Sequence, residues 1–458
     1  MAAVGLRREL GLRTVVSTSA GLAFAAVNFL AVVQVAAYTG AQTLWVAMAT
    51  AAILCLGAAA MFSELAARYP TAAGLRLWLR QGISDRFSLG FTLVYLVAIL
   101  LVVAADAFVL GSVVHAGLPG VPGVVWVVLA LGGIFVANLR GIRLAGLVQD
   151  VTAYALLAAL AIVSVWSLVR HGVHPGGLWP PPGGASGVAQ GIAEGIFIFV
   201  GFEWVTPLAE EVREARTLPP GMMWAVVSLA LVFGLFGLSL TSLYPASHLL
   251  HMTAPQLLVG RAALGGLGFW AMLAITAVTA VTTFNGAFVS GSRLLYALAR
   301  EHALQPAFAH LNGRMVPDRA LMALSAVSLV LAVAVSVTGR YTYLINMGAA
   351  IESAMYAAAA LALLGLRRRE PDARPFFRAP GGSVLPVAIG VIFIGLAAIS
   401  ATLPGDLPDP RVPWGLVILA VLALASAYHV WFVAPALRRS AQARRRQPAG
   451  RPRPGVTP

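Results

Sequence analysis

A chain of 458 residues that is 59% hydrophobic and 10% charged, with a mean hydropathy of +0.86, lacks the polar surface of a soluble fold and reads as an integral membrane protein. Its formal net charge of +14 comes from arginine alone, because the sequence contains no lysine. The lone Cys55 supports neither a disulfide framework nor a CxxC metal site, and without a GxSxG elbow, a Walker loop or a GxGxxG turn nothing points to an enzyme.

Apolar runs of about 20 residues, the length that crosses a hydrocarbon core about 30 Å thick, recur along the chain. They predict an all-α membrane protein with twelve spans near 14–37, 43–65, 89–114, 121–139, 148–169, 188–212, 223–244, 266–292, 320–338, 342–366, 384–403 and 413–434. The first run is too long for a signal-peptide core and is followed at once by a second, so it is expected to be retained. Arginines gather in alternate loops, from Arg7, Arg8 and Arg13 through Arg68 to Arg86, Arg140 and Arg143, Arg213 and Arg216, Arg293 to Arg319 and Arg367 to Arg378, and finally in the tail from Arg438. That asymmetry predicts a multi-pass protein of the cell membrane with both termini cytoplasmic. It also directs the basic residues to lipid headgroups and not to nucleic acid. One transmembrane domain, residues 1–437, and a disordered basic tail, 438–458, are expected. The segment HGVHPGGLWPPPGG, 171–184, reads as a short external lid.

Polar groups inside the spans carry the functional signal, since they are costly in a bilayer. Four acids stand out: Asp106 in span 3, Glu194 and Glu203 in span 6, and Glu352 in span 10. Each has a plain alternative as a structural acid hydrogen-bonded between helices. Span 6, GIFIFVGFEWVTPLAEEV at 195–212, adds Gly201 and Pro207 to its acids. Glycine weakens a helix, and a proline at 207 cannot donate to the carbonyl of Glu203. Backbone freed at that depth must be buried in protein or line a cavity, the arrangement by which secondary transporters bind substrate.

The segment GIFIFVGFEWVTPLAEEVREARTLPPGM resembles the span 6 signature of the amino acid-polyamine-organocation transporter superfamily. FSELAARYPTAAG at 62–74, NLRGIRLAGLVQ at 138–149 and SGSRLLYALAREHALQPAFAHLNGR at 290–314 resemble further family segments in the same order. The resemblance implies the leucine-transporter-type fold: two inverted repeats of five spans, about 12–170 and 186–366, with two peripheral helices at about 384–434. It implies alternating access with the first helix of each repeat unwound, an amino acid permease as the leading reading, and an amine or polyamine permease or a non-transporting sensor as alternatives. Carried over by position, Phe197 is the aromatic gate, Ala25, Ala26 and Val27 offer N–H groups to a substrate carboxylate, the carbonyls of Phe197, Ile198 and Val200 face its ammonium, and Gly201 and Phe202 complete the break. Glu203 is expected to hold the broken backbone of span 1, and Glu194, three and four residues before Phe197 and Ile198, to share their helix face.

Two departures from the family pattern stand out. Where relatives carry a glycine-rich break in span 1, this chain has AAVNF at 25–29, so either Asn28 and its neighbours open the backbone or the carboxylate site is altered. Where some proton-linked relatives place a lysine in span 5, this chain has Ala155. Coupling is therefore expected through H+ at Glu194, Asp106 or Glu352, through Na+ at a candidate site of Gly21, Thr282 and Thr283, or through neither. No other cofactor is expected.

Overall fold

The computed structural model describes residues 11–40, 43–71, 74–141, 145–174, 184–209, 212–249, 252–404 and 411–446. Its regular elements begin with α1 (Leu12–Ala23), α2 (Asn28–Thr39), α3 (Leu44–Arg68), α4 (Gly74–Gly82), α5 (Asp85–Gly117), α6 (Gly123–Leu139), α7 (Ala145–His171) and α8 (Gly184–Gly195). They continue with α9 (Leu218–Leu243), α10 (Ala246–Leu249), α11 (Pro255–Arg300), α12 (Asp318–Thr338), α13 (Thr342–Arg369), α14 (Val384–Thr402), α15 (Trp414–Tyr428) and α16 (Ala434–Arg446). Ten described helical stretches are long and apolar enough to cross a membrane, and two shorter apolar helices, Asn28–Thr39 and Gly123–Leu139, accompany them.

Local chemistry sets the boundaries. Ser84 caps α5 by accepting the Phe87 N–H, a proline opens α9, and α12 stops at Gly339, whose φ of 71° suits glycine. In α11 Leu264 and Gly265 leave helical geometry, with Gly265 at φ 62°, so this 46-residue element is two helices meeting at a kink. The second begins at the predicted start of span 8.

The core sits around α13, whose buried face is rich in alanine and packs against α14, α5 and α4. Small side chains let helices approach closely where no water-driven force brings them together. α4 was not anticipated, because nine residues cannot span a bilayer. Its Trp78 and Leu79 are buried, and it crosses α13 where Gly82 and Gly365 leave the two backbones in contact.

The tail differs from expectation. Its high arginine content predicted disorder from 438, yet α16 is helical to Arg446. Alanine, leucine, arginine and glutamine are strong helix formers, and Pro448 is the next helix breaker. Most of the expected external lid, residues 175–183, lies outside the described residues.

A Cβ at Gly365 would run into the Gly82 carbonyl. Gly365→Val should therefore destabilise the fold by about 2 kcal/mol, seen as a lower unfolding temperature in detergent; an unchanged transition would place α4 elsewhere.

Candidate functional site

Span 1 breaks without a glycine. The Phe24 N–H closes the last turn of α1 on the Ala20 carbonyl at 2.8 Å, and the chain then leaves helical geometry, with Phe24 at φ −79° and ψ 77°. A turn through Ala25, Ala26 and Val27 leads into α2. The polar groups released here are met by side chains. The Val27 N–H donates to Asp106 Oδ1 of α5 at 2.7 Å, and Thr283 and the Ala26 amide also lie against that carboxyl. Asn28 Nδ2 donates to the Ala23 carbonyl at 2.8 Å and to the Ile198 carbonyl at 3.1 Å. One amide thus ties the end of α1 to span 6, in answer to the missing glycines.

Span 6 breaks where the sequence placed it. α8 ends at Gly195, the chain tightens into a 3-10 turn over Ile196–Phe199, Val200 swings to ψ 129°, and Gly201 takes φ 106°, a value glycine alone adopts freely. A second 3-10 segment, Phe202–Leu208, follows. Ser19 Oγ of α1 donates to the Phe202 carbonyl at 2.5 Å, and the Val200 N–H to the Phe197 carbonyl at 3.2 Å. The carbonyls of Phe197 and Ile198, expected to face a substrate ammonium, each already accept one bond and keep a second lone pair.

All the predicted substrate-binding residues are buried beside the two breaks: Ala25, Ala26, Val27, Phe197, Ile198, Val200, Gly201 and Phe202. The Phe197 ring presses on α13 at Gly348, where a Cβ would come within 2.5 Å of the ring. The Phe202 ring packs edge-on to Phe62 and tilted against Tyr356, as a core aromatic does.

The acids separate into distinct settings. Asp106 bonds the span 1 break. Glu203, expected to hold that break, instead accepts from Tyr95 at 3.2 Å and Tyr356 at 3.3 Å, because the 3-10 winding after Gly201 turns it toward α5 and α13. Glu194 lies on the last turn of α8, fully buried, and neither of its oxygens has a hydrogen-bond partner among the described residues. Its expected alignment with Phe197 and Ile198 assumed a continuous α-helix, and the change to 3-10 winding at Ile196 alters that phase. Glu352 of α13 is likewise buried with both oxygens unpaired, and it is close enough to Glu203 for the two to interact electrostatically. Beside Glu203 lies a cavity of about 30 Å³, lined by Phe62, Tyr95, Trp204, Thr206 and Ser290, with room for a water or two.

The candidate sodium residues meet only in part. Gly21 is buried in α1, which packs on α11, and Thr283 reaches Asp106, but Thr282 and Thr283 both donate back to the Thr279 carbonyl, at 2.8 and 3.2 Å. Thr276 and Thr279 bond to their own helix in the same way.

Sequence reading missed a clasp at the beginning of α1. Thr14 Oγ1 donates to Asp150 Oδ2 of α7 at 3.0 Å, Ser17 Oγ donates to Oδ1, and Arg13 lies 4.0 Å away. Elsewhere, Glu64 and Arg68 of the quoted 62–74 segment and Glu301 of 290–314 take part in an ion-pair lattice. Buried Glu64 holds Arg68 at 3.1 Å, Arg367 and the Ala379 N–H, while Arg76 joins Asp85 at 2.6 Å to Glu301 at 3.3 Å. An acid three residues after a predicted inner loop was the available signal for Asp150.

Comparison with known proteins agrees with this architecture. Residues 10–426 match the family model described as amino acid permease. The methylthioribose transporter of Bacillus subtilis is 25% identical over 51% of this chain and 50% of its own length, and the branched-chain amino acid permease BcaP of Lactococcus lactis is 25% identical over 56% and 57%. The chain thus spans about half the length of those two relatives. Over 85% of this chain, and 87% of its own, the BcaP of Bacillus subtilis is 23% identical. Among solved structures, the Eremococcus coleocola manganese transporter superposes with a TM-score of 0.59 over 96% of this chain and 99% of that one, at 14% identity, a likeness of fold alone.

Asn28→Asp keeps the side-chain shape and removes both N–H donors. It should destabilise the protein by about 2 kcal/mol or more, comparably to Asn28→Ala. Thermal unfolding in detergent measures this; wild-type stability in either variant would contradict the bridging role.

Proposed function

Because this chain belongs to the amino acid permease family, we propose that it is a secondary transporter carrying amino acids or closely related small amines across the membrane by alternating access. The observation that carries this reading is the pair of interrupted helices joined at bilayer depth, where Asn28 of the first holds the Ile198 carbonyl of the second. Irregular backbone in a membrane serves a ligand when it lines a site within the protein. Relatives whose names specify branched-chain amino acids, cationic amino acids and methylthioribose support a small organic solute.

In this reading the chain is a single domain with twelve spans, two inverted five-span repeats, two peripheral helices and both termini cytoplasmic. Ala25 to Val27 and Phe197 to Phe202 surround the substrate, with Phe197 as its gate. Coupling runs through H+ or Na+, with Glu194, Asp106 and Glu352 as proton carriers, or with Gly21, Thr282 and Thr283 around sodium. The Asp150 clasp fastens the inner half of span 1 to α7 and must open for release to the cytoplasm.

Uptake of radiolabelled solute into proteoliposomes under imposed sodium or pH gradients tests the proposal. Saturable uptake, inhibited by unlabelled amino acids or amines and driven by one gradient, is expected; ligand binding without flux would make the protein a sensor. The clasp has its own test. In a Cys55→Ser background, Ala20→Cys should react with maleimide more than tenfold faster when Asp150→Ala is added, and an equal rate would mean that Asp150 does not restrain α1.

A further inference from the structure

The position of Asp106 bears on which class of solute the site accepts, an inference that rests on the permease reading above. α2 is a 12-residue helix that starts inside span 1, so its N-terminal end brings the positive end of a helix dipole to the break, where the Asn28, Phe29 and Leu30 N–H groups bond back to the turn and those of Ala26 and Val27 point to a side chain. Such an end is a ready site for a carboxylate. Here the chain supplies its own. Asp106 projects from α5 with no solvent exposure and takes the Val27 N–H at 2.7 Å, with the Ala26 amide and the Thr283 hydroxyl against the same carboxyl. A substrate carboxylate arriving there would lose its donors to Asp106 and meet a like charge in a site without bulk water.

The second oxygen, Asp106 Oδ2, is buried and has no hydrogen-bond partner among the described residues. A buried carboxylate oxygen of this kind is an acceptor awaiting a donor, and an ammonium satisfies it with charge as well as a hydrogen bond. Near the other break, Glu194 stands two residues before the 3-10 turn, buried, with both oxygens unpaired among the described residues. An acceptor left open at the first break and an anion position already filled there are the complement of a cation.

We propose that Asp106 occupies the carboxylate position at the start of α2 with its own side chain, and that the transported solute is an amine lacking a carboxylate, its ammonium held by Asp106. The matched probes are cadaverine with lysine, agmatine with arginine and isoamylamine with leucine, each pair differing by one carboxylate. Binding is read by thermal stabilisation of the purified full chain and by competition for uptake in proteoliposomes. In at least one pair the amine should act at a concentration tenfold or more below that of its amino acid. Asp106→Asn retains an oxygen for the Val27 N–H and removes the charge; it should keep the ligand-free unfolding temperature, weaken amine binding tenfold or more and narrow the gap to the amino acid. Amino acids that bind as well as or better than their amines, or an Asp106→Asn variant that folds and binds amines unchanged, would overturn the assignment while leaving a working permease. Absence of saturable binding or uptake for all six probes would overturn the permease reading itself. If Asp106→Asn fails to fold, the wild-type pairs alone decide.

Discussion

A peptide group exposed at bilayer depth has no water to bond, and the arrangement of this molecule follows from that constraint. Two helices stop short of crossing the membrane unbroken, and the groups they release are taken up by three side chains, Asn28 on the carbonyls of Ala23 and Ile198, Asp106 on the N–H of Val27 and Ser19 on the carbonyl of Phe202, while Gly201 turns the chain itself. Removing any one of these donors or acceptors leaves a buried polar group costing about 1–3 kcal/mol. The site is therefore held together by the same bonds that keep its helices open.

That economy explains the scaffold. α5 reaches the break with Asp106 and reaches Glu203 through Tyr95, so one long helix supports both interruptions. α13 closes the other side, with Gly348 against Phe197 and Tyr356 against Glu203 and Phe202. At the start of α1 the Asp150 clasp ties the helix to α7, and the lattice around buried Glu64 and Arg76 joins α3, α4, α5, α13 and the end of α11.

Much of this was legible in the sequence. Hydropathy anticipated the ten long apolar helices among the described residues because apolar length is dictated by bilayer thickness, and the span 6 break was readable because Gly201 is a local signal. The span 1 break was legible only as a conflict: the ordered motifs required it, Ala25 to Val27 opposed it, and Asn28 was one of two ways out. What could not be read were pairings between residues far apart in the chain, Val27 with Asp106, Ser19 with Phe202 and Thr14 with Asp150, since no local pattern encodes a partner more than 70 residues away. Glu203 was assigned the wrong partner for a related reason. Its side-chain direction depends on 3-10 winding that an assumed α-helix does not reproduce. The helical tail to Arg446 was hidden by its charge, although its residues favour helix.

The central claim is that the two interruptions meet and that a small solute sits between them. A density map of the full chain in lipid nanodiscs, saturated with the tightest-binding solute found by uptake, tests it most directly. The account predicts non-helical backbone at Phe24 to Val27 and at Val200 to Gly201, the Asn28 side chain between them, and solute density touching both segments. Unbroken α-helix through either segment, or solute bound away from both, would contradict it.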